Sequence, residues 1–234
     1  MKGRLFLIPT PLGDNDPTEV LTRPVFDTLP GIKTFFVEEI RTARRFLSTV
    51  GFKGRIDELT FFELSEHTQR EEVENYVKIL LSGEDAALIS EAGLPAVADP
   101  GALLVELAHQ HDIDVVPFVG PSSLMLALMS SGMNGQCFAF TGYLPVKSDE
   151  RKAKLLQLEK ISAIQKQTQI IIETPYRNDA LFRDILSICK SSTRVCVAAD
   201  ITLPTAYIKT KTVGQWKMIS LQIGKRPCVF VLQS

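Results

Sequence analysis

A chain of 234 residues with 45% hydrophobic side chains has a globular composition and is long enough for one large domain or two of about 100 residues each. Its 26 basic and 27 acidic residues leave a net charge of −1, which excludes a uniformly basic chain built for phosphate binding and leaves room only for a local basic patch. Cys137, Cys189, Cys196 and Cys228 form no Cys-x-x-Cys pair and have no histidine at metal spacing, so no metal centre is expected, and a reducing, cytoplasmic compartment is.

The first apolar run, Leu5 to Ile8, is too short for a signal peptide or a membrane span and reads as a buried strand. It stops at Pro9-Thr10-Pro11-Leu12-Gly13-Asp14, a rigid loop without the GxGxxG spacing of a dinucleotide fold. Asp16-Pro17 predicts a helix start. Thr34 to Val37 predicts a second strand, ending in Glu38-Glu39 and Arg41 ahead of a helix to about Val50. Acids there suit either a site or an exposed helix start facing the macrodipole. A weak strand over Glu58 to Leu64 leads to Glu66-His67, which reads as a proton-handling pair or a solvated cap, and then to a helix over Arg70 to Leu81.

Ala86 to Ile89 is a short, unalternating apolar run, the pattern of a buried parallel strand. It breaks into Ser90-Glu91-Ala92-Gly93-Leu94-Pro95-Ala96-Val97-Ala98-Asp99-Pro100-Gly101, followed by a helix over Ala102 to Gln110. Strand, Gly/Pro loop and helix is the arrangement in which open α/β sheets bind ligands, and it is also an ordinary connection. Asp114 to Val119 is the next strand; Gly120-Pro121-Ser122-Ser123 then opens an apolar helix. The domain boundary is placed here, giving residues 1–118 and 119–234.

The second half reads as a mixed sheet. Strands are predicted over Cys137 to Leu144, Thr168 to Ile172 and Arg194 to Ala199, with helices from Asp149 to about Ile161 and up to about Cys189. The tail holds two antiparallel strands, Thr205 to Thr210 and Cys228 to Leu232, with a short helix between them. Cys196 and Cys228 lie in strand-like surroundings and are expected in the core.

Six of these loops share one pattern. Pro9-Thr10-Pro11-Leu12-Gly13, Val37-Glu38-Glu39-Ile40-Arg41-Thr42-Ala43, Ser90 to Gly101, Val119-Gly120-Pro121-Ser122-Ser123, Phe140-Thr141-Gly142-Tyr143-Leu144-Pro145-Val146-Lys147 and Glu173-Thr174-Pro175-Tyr176-Arg177 each follow a predicted strand. In this order they resemble the tetrapyrrole methylase superfamily of S-adenosylmethionine-dependent methyltransferases. Within it, the chain is most similar to the branch that methylates ribose 2'-hydroxyls in bacterial small-subunit ribosomal RNA. It departs from that branch at Ser65, Thr68, Glu39 and Tyr176, all on the substrate side.

The resemblance implies two α/β domains, an N-terminal mostly parallel sheet and a C-terminal mixed sheet, with the cofactor cleft between them. It implies S-adenosylmethionine contacts at Pro11, Leu12, Gly13, Ala92, Gly93, Leu94, Val97, Ser122, Ser123, Leu144, Thr174, Ala199 and Pro227. A hydroxyl nucleophile needs its proton removed. Glu39, His67 and Glu173 are the candidate bases, and Arg41, Arg177 and Lys147 the candidate substrate contacts. An RNA substrate, a homodimer, and neither metal nor membrane are expected. The fold also hosts methylation of tetrapyrrole rings, and a cofactor-binding relative without catalysis would keep the same loops.

Overall fold

Strands with unbroken apolar sequence sit at the middle of a parallel sheet, because helices cover both faces. The computed structural model describes every residue, Met1–Ser234, and the chain forms two compact units, Met1–Ser122 and Ser123–Ser234.

In the first unit the elements run β1 (Leu5–Ile8), α1 (Pro17–Val20), α2 (Arg23–Thr28), β2 (Thr34–Val37), α3 (Ile40–Leu47), β3 (Thr60–Glu63), α4 (Arg70–Leu81), β4 (Ala86–Ile89), α5 (Ala102–Gln110) and β5 (Val115–Pro117). The sheet is all parallel, in the order β3-β2-β4-β1-β5. Alternate side chains divide between its faces. Phe6, Ile8, Phe35, Val37, Ala87 and Ile89 pack with Val25, Leu29 and Leu47 of the early helical segments. Leu5, Phe36, Ala86 and Leu88 pack with Val77 and Leu80 of α4 and Leu104 and Leu107 of α5. The connection leaving β1 therefore crosses one face, and the connection leaving its neighbour β4 crosses the other. Two adjacent strands whose loops part to opposite faces make a crevice at their carboxyl ends, where such sheets take ligands.

The second unit holds α6 (Ser123–Ser131), β6 (Phe138–Tyr143), α7 (Ser148–Gln165), β7 (Thr168–Ile172), α8 (Asn178–Ile188), β8 (Arg194–Ala199), β9 (Tyr207–Thr212), α9 (Val213–Trp216) and β10 (Cys228–Gln233). Its sheet runs β6-β7-β10-β8-β9. The two tail strands do not pair with each other: β10 inserts between β7 and β8, antiparallel to both, and β9 lies on the far side of β8. All six residues of β10 are buried, as a central strand requires. Lys209 and Lys211 lie on the edge strand β9, where charge discourages pairing with a further chain. Trp216 is fully buried and donates its indole N–H to the Val195 carbonyl at 2.9 Å.

Two helices end where the sequence pattern does not mark an end. The predicted helix to Val50 stops at Leu47 and widens into a π turn, Ser48–Phe52, with Gly51 at φ +108°. Helix α7 runs to Gln165 rather than Ile161, because no Gly or Pro intervenes; it stops on left-handed Lys166, whose carbonyl accepts from Asn134 Nδ2 at 2.9 Å. Cys196 and Cys228 are core residues, and burial pushes the Cys228 thiol up to about 12.

Candidate active site

The loops after β1 and β4 are tied together. The Thr10 N–H donates to the Gly93 carbonyl at 2.9 Å, and the Gly93 N–H returns to the Thr10 carbonyl at 3.1 Å. The Thr10 hydroxyl reaches the Ser90 carbonyl at 3.3 Å. Gly93 sits at φ +86°, and a Cβ there would stand 3.2 Å from Leu12 Cδ2 and 3.5 Å from the Pro121 carbonyl oxygen. Left-handed backbone and close approach together call for glycine. Farther along the loop, Ala96 (φ 62°), Ala98 (φ 64°) and Gly101 (φ 128°) are also left-handed. Such conformations cost an alanine about 1–2 kcal/mol and gather at ligand loops.

Pro11, Leu12, Gly13 and Ala92 are brought to one depression of about 320 Å³, with Thr42 and Arg45 of α3 on its rim. That volume is at the small end of ligand sites, and its proline, leucine and alanine surfaces with open backbone suit a nucleoside-like group. Gly93, Leu94 and Val97 continue the same loop, with Gly93 and Leu94 less exposed than Val97. Ser122 is the last residue of this unit, and Ser123 opens α6 in the next.

The acids at the ends of β2 and β4 divide by role. Glu39 is the N-cap of α3: its carboxylate accepts from the Arg41 N–H at 2.8 Å and from the Thr42 N–H and hydroxyl at 2.6 and 2.7 Å. Those bonds, the Thr42 hydroxyl first, hold Glu39 below the usual carboxylate range. Arg41 is exposed beside it. Glu38 and Asp99 go the other way. Burial, then Glu91, pushes Asp99 up to about 6, partly offset by the Ser90 hydroxyl. Burial, then Asp99, Glu91 and Glu66, raises Glu38. His67 is solvent-facing, 3.6 Å from the Glu66 carboxylate.

In the second unit, Glu173, Thr174 and Arg177 form one cluster at the carboxyl end of β7. Glu173 Oε1 takes the Thr174 N–H at 2.6 Å and the Arg177 guanidinium at 2.6 and 2.9 Å. The Glu173 side chain is fully buried, and its Oε2 has no partner. A buried carboxylate oxygen without a donor is costly unless a ligand completes it. Leu144 and Ala199 are core residues, Ala199 with no exposed surface, so neither offers its side chain to a ligand. Pro227 accepts the Asp200 N–H at 2.9 Å. Lys147 caps α7 and pairs with Glu150 at 3.2 Å; its turn is pinned by Arg151, which donates to the Val146 carbonyl at 2.7 Å.

No family model matches the chain. Among curated proteins it is 33% identical over 198 residues to Ribosomal RNA small subunit methyltransferase I of Vibrio cholerae, covering 85% of this chain and 65% of that one. It is 30% identical over 213 residues to the protein of the same name from Neisseria meningitidis, covering 91% of this chain and 69% of that one. The chain belongs to the ribosomal RNA small subunit methyltransferase I family. It spans about two thirds of the length of these family relatives, 65% and 69%. Solved structures share the family's fold at much lower identity. The methyltransferase CobJ matches with TM-score 0.63 at 12% identity over 99% of this chain and 94% of that one. Uroporphyrin-III C-methyltransferase from Thermus thermophilus, complexed with S-adenosylhomocysteine, matches with TM-score 0.58 at 14% identity over 99% and 98%.

Within this family member, sequence reasoning passed over Glu38, Glu91 and Asp99 as an interacting set. Glu38 carried a signal, an acid at a strand end. Asp99 carried none, because its environment comes from burial and from the way its own loop folds back to bring Glu91 and Ser90 beside it.

Proposed function

We propose that this chain is an S-adenosylmethionine-dependent methyltransferase acting on a ribose 2'-hydroxyl of small-subunit ribosomal RNA. The observation that carries this reading is membership of the family over 85–91% of the chain. The tied Thr10–Gly93 loops at the β1/β4 crevice support it, because they offer apolar surface and backbone to an adenosyl group. The cofactor, when bound, supplies a methyl group on a cationic sulfur. Pro11, Leu12, Gly13, Ala92, Gly93, Leu94, Val97, Ser122 and Ser123 are the contacts proposed from the first unit, and Leu144, Thr174, Ala199 and Pro227 those from the second.

Of the candidate bases, Glu173 is favoured for accepting the hydroxyl proton. Its Oε2 is free while Arg177 and the Thr174 N–H hold Oε1 in place. Glu39 is occupied as a helix cap, and its lowered pKa makes it a weak base. Arg41 and Lys147 are the proposed RNA contacts, with His67 on the exposed turn after β3. Alignment of the reacting atoms supplies much of the acceleration in such displacements, about 7–11 kcal/mol in favourable cases.

We further propose a cytoplasmic homodimer. No helix is long and apolar enough to cross a membrane, and no group of three or more His, Cys, Asp or Glu is placed to hold a metal.

The test is transfer of tritiated methyl from labelled cofactor to small-subunit ribosomal RNA from cells lacking the protein. Label on a ribose supports the proposal. Label only on a tetrapyrrole, or cofactor binding with no transfer to either acceptor, overturns it.

A further inference from the structure

The chain's near-neutral charge is the sum of two opposed units. Met1–Ser122 carries 11 Lys and Arg against 20 Asp and Glu, whereas Ser123–Ser234 carries 15 against 7. A polyanion is drawn to the second unit and repelled by the first. Of the exposed aromatic side chains in the second unit, the type that binds nucleobases, Tyr176 is the most exposed.

Tyr176, on the turn after β7, is 78% exposed, and Lys225 Nζ lies 5.0 Å from its ring centroid. The two come from different turns that the sheet brings to one end. Strand β10 is antiparallel to β7, so the residues entering β10 stand beside those leaving β7. The other cations there are already matched: Arg177 to Glu173 at 2.6 Å and Arg226 to Asp200 at 2.6 Å. Lys225 makes no ion pair and is the cation left for a phosphate. An exposed ring beside an unpaired ammonium combines the two elements of single-strand recognition, a π face for a base and a charge for the backbone.

We propose that Tyr176 is a stacking platform for one unpaired base of the RNA substrate, with Lys225 contacting an adjoining phosphate. This rests on the RNA reading above and adds to it the form of the substrate, a single-stranded segment. Tyrosine is suited to the task because its ring offers stacking area while losing little side-chain freedom. Stacking is tolerant of base identity, so the platform positions the strand rather than reading its sequence.

The test compares the full chain with Tyr176→Ala, Tyr176→Trp and Lys225→Ala. Fluorescence anisotropy follows a labelled single-stranded oligoribonucleotide and the same sequence as a duplex; S-adenosylhomocysteine affinity and methyl transfer to ribosomal RNA are measured in parallel. Tyr176→Ala is expected to weaken single-strand binding by about 5- to 150-fold, the range that about 1–3 kcal/mol of base stacking converts to. Tyr176→Trp retains binding. Lys225→Ala lowers the slope of log affinity against log salt by about 0.7, one phosphate on a single strand. S-adenosylhomocysteine affinity stays unchanged in all three.

Single-strand affinity unchanged in Tyr176→Ala overturns the platform. So does a fall in S-adenosylhomocysteine affinity, which would assign the ring to the cofactor, or dissociation to monomers with RNA affinity intact, which would assign it to a subunit contact. Stacking that survives while the wild-type chain transfers no methyl to RNA overturns the methyltransferase reading and leaves the platform standing.

Discussion

Both units set helices against a five-stranded sheet, yet their loops are held in different ways. In the first, the β1 and β4 loops are fixed by backbone: the paired Thr10–Gly93 hydrogen bonds and a run of left-handed residues through Gly101. In the second, the loops are fixed by charged side chains: Arg177 on Glu173, Arg226 on Asp200, and Arg151 on Asp184. Backbone fixation leaves a surface of small and apolar groups, suited to a compact cofactor. Arginine fixation is charge-matched pair by pair, so the excess of basic residues in this unit, the part suited to a polyanion, lies on its other cations.

The largest expected effect tests the side-chain half of this contrast. Arg151 and Asp184 are nearly buried, with the guanidinium 2.6 Å from Oδ2. Arg151→Ala leaves Asp184 only the distant Lys152 ammonium at 3.9 Å and the Ser148 hydroxyl at 3.5 Å, releases the turn before α7, and should cost about 3–5 kcal/mol in urea unfolding. A loss within the range of a surface ion pair, about 1 kcal/mol or less, would show that the charged clamp is decoration.

The backbone half is broken next. Gly93→Ala places a Cβ at φ +86° and 3.2 Å from Leu12 Cδ2. The conformation alone should cost about 1–2 kcal/mol of stability. Because Leu12 must shift, calorimetry should also show weaker S-adenosylhomocysteine binding. Unchanged affinity would remove this loop from the cofactor site.

Glu39 separates a capping role from a chemical one. Glu39→Ala should lower stability through loss of the α3 cap, as read by urea unfolding. Glu39→Asp keeps a capping carboxylate and should restore it, together with methyl transfer. Stability restored without activity would return Glu39 to the catalytic machinery.

The smallest effect is electrostatic, because solvent screens a half-exposed group. Asp99 has a folded-state value of about 6, above its ordinary 3.8. Between these values the folded chain binds more protons than the unfolded one, so this group's contribution makes stability fall as pH rises from about 4 to about 6. Asp99→Asn should flatten that slope and raise stability at pH 7, as read by urea unfolding across the range. A slope unchanged by the substitution would mean that burial and Glu91 do not raise Asp99 in the folded chain.

Much of this was legible in sequence. The strands Leu5–Ile8, Thr34–Val37, Thr168–Ile172 and Arg194–Ala199 and the helices Arg70–Leu81 and Ala102–Gln110 begin and end where local pattern places them. There apolar runs meet Gly, Pro or charged stops, and local chemistry agrees with burial. The loops after β1 and β4 were legible as loops for the same reason, since glycine and proline mark backbone that must turn. Three features were decided only by tertiary structure. β10 passes between β7 and β8, a non-local pairing that no local pattern encodes. Glu39 is a cap while Glu38 shares a field with Asp99, because side-chain environment depends on which loop folds beside which. Lys225 meets Tyr176 across the 49 positions that separate them in sequence only because β10 runs antiparallel to β7. The opposed charge of the two units, by contrast, was in the sequence already: residues 119–122 are uncharged, so the boundary placed at 118/119 divides the charges as the folded units do.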